Sequence, residues 1–79
     1  MDTLQVIRDF LSEQYGIPVA KITPETALDQ LGIDSLMFIE LLFEFDSKLG
    51  IPAPEKDIAD IKTIGELVAL VDKIRAERK

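Results

Sequence analysis

Leu31-Gly32-Ile33-Asp34-Ser35-Leu36 runs without a break into Met37-Phe38-Ile39-Glu40-Leu41-Leu42-Phe43-Glu44-Phe45-Asp46-Ser47-Lys48-Leu49. At about 100° per residue, Phe38, Leu41, Leu42, Phe45 and Leu49 fall on one stripe roughly 100° wide. The period predicts an amphipathic helix over residues 34–49 with those five side chains facing a core. Leu36, Ile39 and Phe43 form a second apolar strip at its edge, and Glu40, Glu44, Ser47 and Lys48 lie on the opposite side. Gly50 and the Pro52/Pro54 pair end it, because glycine accepts a left-handed cap and proline cannot continue a helix. So wide an apolar face reads either as the central helix of a small bundle or as a face whose edge strip also meets a ligand or partner.

Towards the N-terminus, residues 17–33 hold Pro18, Pro24 and Gly32 and no sustained period, so they read as a long loop. A connection beyond about 12–15 residues needs anchors in a small domain, and Val19, Ile22, Leu28 and Leu31 are the candidates. Ala27 to Leu31 can make one helical turn. Before the loop, Leu4, Ile7 and Leu11 form a stripe widened by Val6 and Phe10, opened by Asp2 and Gln5 as a capping pair. Gly16 and Pro18 stop it, which predicts a first helix over residues 3–15.

Towards the C-terminus, residues 55–60 have room for one short helix, with Ile58 and Ile61 as its apolar contacts. Thr63-Ile64-Gly65-Glu66 reads as a capping box. Leu67, Val68, Val71 and Ile74 carry the stripe on from Ile64. Lys73, Arg75, Arg78 and Lys79 suit a helix C-terminus electrostatically, and the tail beyond residue 76 is expected to fray. Nothing alternates with period two. The expected fold is all-α, a small four-helix bundle of three long helices and one short one, with a long loop between helices one and two.

Composition narrows the function. Seventy-nine residues make one domain, residues 1–79. With no cysteine and no histidine, the chain holds no disulfide, no thiolate, no common zinc ligand set and no Ser-His or Cys-His nucleophile pair. No apolar run approaches the roughly 18 residues that span a bilayer, and the opening residues do not show the charged-then-apolar pattern of a leader. The expectation is a cytoplasmic protein with no membrane insertion, and a monomer. The net charge is −6 and unevenly spread: residues 25–61 hold nine acids against Lys48 and Lys56. Such a middle section repels a phosphate backbone, so nucleic acid is not expected as a partner. It attracts a basic protein face, or it simply aids solubility.

Ser35 is the residue that bears chemistry. With Asp34 as N-cap, its hydroxyl sits in the first helical turn, near the positive end of the dipole. One reading is a cap and nothing more. Self-activation as a hydrolase is excluded, because no histidine can deprotonate it. Modification by another enzyme remains, since a helix N-terminus tolerates added phosphate. The acids do not have the spacing of a calcium loop. Glu40, Glu44 and Asp46 form a catalytic pair only if desolvated in a cleft.

The run from Leu31 to Leu36 resembles the phosphopantetheine attachment motif of acyl carrier proteins. Ile39-Glu40-Leu41 resembles that family's apolar-Glu-Leu step, and Ala53-Pro54 falls where a proline opens its short third-helix region. Ile61-Lys62-Thr63-Ile64 resembles the entry to its last helix, and Glu13-Gln14-Tyr15-Gly16-Ile17 the end of its first. The likeness covers essentially the whole chain. It implies a non-catalytic carrier, the substrate of a phosphopantetheinyl transferase. That enzyme would attach 4′-phosphopantetheine from coenzyme A to Ser35, flanked by Asp34 and Leu36, in a magnesium-dependent reaction. The arm's thiol would hold acyl groups as thioesters for acyl-transferring, condensing or ligating enzymes with basic docking patches.

The resemblance also implies an acyl pocket, for which Phe38, Leu41 and Phe45 are the lining candidates and Ile39, Phe43 and Ile58 the mouth. Docking positions are Asp34, Glu40, Glu44, Asp46 and Glu55, with Met37, Ile39 and Phe43 beside them. Met37 departs from the family pattern, because the residue two after the serine is often acidic in fatty-acid-synthesis carriers. Ser47 and Lys48 depart likewise. These differences open a specialised, polyketide-like pathway beside fatty acid biosynthesis. An aminoacyl or D-alanyl carrier, or a helical interaction module that recruits a basic partner and carries nothing, are the alternatives.

Overall fold

The computed structural model describes residues 2–52 and 60–77. Three helices organise them: α1 over Thr3–Tyr15, α2 over Ser35–Leu49 and α3 over Ile64–Glu77. Between α1 and α2 the chain makes two 3-10 turns, Val19–Lys21 and Leu28–Leu31. The described residues form no strand, only a single antiparallel bridge from Ala27 to Thr63. The fold is all-helical. The expected short helix at residues 55–60, with Glu55 and Ile58, falls almost wholly outside the described residues.

One contiguous core holds the helices together. Val6, Ile7, Phe10 and Leu11 from α1 meet Phe38, Leu41, Leu42 and Phe45 from α2, and Ile64, Leu67 and Val71 from α3. The stripe read from the period of α2 is therefore buried, with Leu49 at its half-buried end. Leu36, Ile39 and Phe43, the edge strip, stand in solvent.

The long loop is tied down by both side chains and backbone. Ile22 and Leu28 are buried and Leu31 is half-buried, as anchors should be. Val19 is not an anchor: it is 45% exposed. Its neighbour Ile22 occupies the core position, and the Arg8 guanidinium donates to the Ile22 carbonyl at 2.9 Å, which fixes that turn against α1. The second turn opens with the Gln30 side chain accepting from the Ala27 amide.

The loop also completes the start of α3. The first amides of a helix lack intrahelical partners, and three of those of α3 find acceptors outside the helical ladder. Ile64 donates to the Thr26 carbonyl and Gly65 to the Pro24 carbonyl, while Leu67 makes the first intrahelical bond, to the Thr63 carbonyl. Glu66 donates to the Thr63 hydroxyl at 3.1 Å. Only half of the expected capping box forms, because the Glu66 carboxylate accepts from the Thr63 hydroxyl instead of from a backbone amide.

The N-terminus of α1 differs from expectation. Asp2 is the N-cap residue, yet its side chain caps nothing. Gln5 turns the other way and donates to Asp9 one helical turn on. The residue that secures this end is Thr3, fully buried. Its hydroxyl donates to Asp72 and accepts from Arg75, joining the start of α1 to the end of α3.

Candidate functional site

Ser35 is placed by the three residues before it. Gly32 adopts φ +73, a left-handed conformation that closes the second 3-10 turn. That geometry lets the Ile33 amide reach back to the Leu28 carbonyl at 3.2 Å, and the Ile33 side chain drops into the core. The chain then emerges extended at Asp34, whose carboxylate accepts from the Met37 amide at 2.9 Å. Asp34 is thus a working N-cap. Phe38 donates to the Asp34 carbonyl, the first intrahelical bond of α2. Ser35 follows as the first helical residue, exposed.

The amides of Ser35 and Leu36 have no acceptor among the described residues. They point, with the helix dipole, at the region around the Ser35 hydroxyl. An anion esterified to Ser35 finds two donors and a positive dipole end there. This arrangement fits a phosphodiester-linked group. Leu36, Ile39 and Phe43 lie along the same exposed side of α2, 65%, 47% and 64% exposed. Met37 is half-buried.

The acids named as docking positions are distributed more widely than their sequence spacing shows. Asp46 is exposed. Glu44 is half-buried and, with Lys48, faces α1 across a recess of about 80 Å³ that Val6, Asp9 and Glu13 complete. Glu40 is tied to α1, because its carboxylate accepts from the Tyr15 hydroxyl at 2.6 Å. Glu55 lies outside the described residues.

From the sequence, Tyr15 is legible only as part of the end of α1. Its ring packs edge-on against Phe10, centroids 5.9 Å apart. Its phenol is pushed up from 10.0 to about 12, chiefly by the hydrogen bond to Glu40. Partial loss of water and repulsion from the Glu40 and Asp34 carboxylates add to this. The one available signal was the aromatic ring at the last position before the Gly16 cap.

Of the proposed pocket residues, Phe38, Leu41 and Phe45 are buried side by side in the core. Ile39 and Phe43 point away from that core into solvent, and Ile58 lies outside the described residues. The recess between α1 and α2 is lined by other residues. No group of three or more acidic side chains that could hold a metal ion occurs among the described residues. No helix among them is long and apolar enough to cross a membrane.

A family profile described as the phosphopantetheine attachment site matches residues 5–71. The meromycolate extension acyl carrier protein of Mycobacterium tuberculosis is 36% identical over 72 residues. That alignment covers 90% of this chain and 63% of the relative, so the chain spans less than two thirds of its length. The acyl carrier protein of Thermotoga maritima is 32% identical over 68 residues, 85% of this chain and 84% of the relative. A crystal structure of an acyl carrier protein from Thermotoga maritima has the same fold, with a TM-score of 0.78 and 24% identity. It covers 100% of this chain and 96% of that one. The match to the attachment-site profile over most of the chain, and the Thermotoga relative aligned over most of both lengths, show that the chain belongs to the acyl carrier protein family, whose members bear covalent 4′-phosphopantetheine.

Proposed function

We propose that the chain is a non-catalytic acyl carrier, loaded at Ser35 by a phosphopantetheinyl transferase. The observation that carries this reading is an exposed serine hydroxyl on the first turn of α2, beside two free amides and behind a formed Asp34 cap. The chain holds no histidine, and among the described residues no side chain is hydrogen-bonded to the Ser35 hydroxyl. In this reading the modifying enzyme supplies the base that takes its proton. The arm, once attached, supplies a terminal thiol that holds an acyl group as a thioester. Asp34 keeps the first turn of α2 wound, so the arm's root stays on a rigid element. The whole chain, residues 1–79, acts as one carrier unit.

Partner enzymes dock, in this reading, on the exposed side of α2. The exposed Leu36, Ile39 and Phe43 supply apolar contact there, and Asp34, Glu40 and Asp46 supply charge for a basic patch. Fatty-acid-type chain extension is the favoured pathway, supported by the relatives named for meromycolate extension. Met37, in place of an acid, supports a dedicated carrier within that chemistry. To test carriage, the modified chain is charged with a radiolabelled acyl group and then treated with neutral hydroxylamine. Label released by hydroxylamine and absent from Ser35→Ala supports a thioester on the arm. Label retained after hydroxylamine contradicts it.

A further inference from the structure

We propose that Tyr15 is a positioning residue for docking: its hydroxyl holds the Glu40 carboxylate in one orientation, so that a partner's basic side chain meets a fixed charge. This rests on the reading of α2 as the docking face. Tyr15 closes α1 and Glu40 lies on α2, five residues after Ser35, about 7.5 Å along the helix axis. The hydrogen bond between them spans two helices and 25 positions of sequence. The Phe10 ring holds the phenol in place from the core side, and Glu40 is half-buried.

A glutamate on an open helix face samples many rotamers, and binding must immobilise it. Here the immobilisation is already made in the free chain, and only one carboxylate oxygen is used. The second oxygen remains to accept from an arginine or lysine. Asp34, near enough to repel the ionised phenol, adds negative charge on the same flank. A phenol is a donor throughout the physiological range at its ordinary value of 10.0, and the bond to Glu40 raises it further, to about 12.

The test takes advantage of a chain with one tyrosine and no tryptophan. Ultraviolet titration of wild type should show the phenol ionising near pH 12, and Glu40→Gln should bring it down towards 10.0. Transferase kinetics on the apo chain should show KM for Tyr15→Phe raised about two- to tenfold with kcat unchanged. Glu40→Gln should raise KM as well, and the double variant should be no worse than Glu40→Gln alone.

A phenol that titrates normally in wild type overturns the proposal, as do additive effects in the double variant. An unchanged or lowered KM in Tyr15→Phe overturns it too, the latter showing that the hydroxyl competes with the partner. A wild-type chain that accepts no phosphopantetheine overturns the carrier reading and this proposal together. A chain that is modified with KM indifferent to Tyr15→Phe overturns this proposal alone.

Discussion

The Gly65 amide donates to the Pro24 carbonyl at 2.8 Å, and a Cβ on Gly65 would stand 2.9 Å from that same oxygen. The long loop and the first turn of α3 are therefore in backbone contact, and the absence of a side chain permits it. On propensity alone, alanine in a helix gains roughly 1 kcal/mol over glycine. Overpacking against a backbone atom costs about 1–3 kcal/mol, so the clash should win. Gly65→Ala is predicted to lower the urea midpoint with little change in slope. A stabilised variant would show that the Pro24 turn shifts freely.

Capping and charge at Asp34 can be separated. Asp34→Ala removes the acceptor for the Met37 amide and should cost about 0.5–2 kcal/mol. Asparagine caps about as well as aspartate, so Asp34→Asn should keep stability within about 0.5 kcal/mol. Equal losses in the two variants would mean that the charge, not the cap, stabilises the turn.

Two phenylalanines two positions apart should behave oppositely. Phe45 is fully buried, and Phe45→Ala is expected to cost about 3–5 kcal/mol, a large part of a small domain's stability. Phe43 is 64% exposed, and Phe43→Ala should change stability by about 0.5 kcal/mol or less. Its effect should appear instead in partner docking. Denaturant unfolding of both variants decides this, and similar losses would refute the assigned faces of α2.

Alkaline pH should act through Tyr15. Its phenol is raised above the ordinary value, so the neutral form is favoured in the fold. The contribution is fully present below about pH 10 and is lost as pH climbs towards about 12. Urea midpoints at about pH 8 and about pH 11 should diverge less for Tyr15→Phe than for wild type. Parallel decline in the two chains would contradict the contact.

The helices were readable because their burial has a period. α2 shows this best, with Phe38, Leu41, Leu42 and Phe45 all buried where about 100° spacing puts them. The loop has no period, so nothing in its order separates exposed Val19 from buried Ile22. Three Gly-Ile pairs, beginning at Gly16, Gly32 and Gly50, held a further signal. Each glycine takes the left-handed cap and each following isoleucine turns inward, Ile33 and Ile51 into the core and Ile17 against it.

Contacts between distant positions had no local signature. Thr3 bonds to Asp72 and Arg75 only because the bundle brings opposite ends of the chain together. Tyr15 and Glu40 meet for the same reason. The same limit shaped the site. Asp34 as cap and Ser35 beside it follow from adjacent residues, whereas which acids of α2 face outward depends on α1. Glu44 and Lys48 turn towards that helix across the recess.

Ser35 is the proposed attachment point of the arm. The purified chain, its Ser35→Ala variant, coenzyme A, magnesium and a phosphopantetheinyl transferase of broad specificity suffice to test it by intact mass. Wild type should gain the mass of one phosphopantetheine, and Ser35→Ala should gain nothing. No gain in wild type, or an equal gain in the variant, would contradict it.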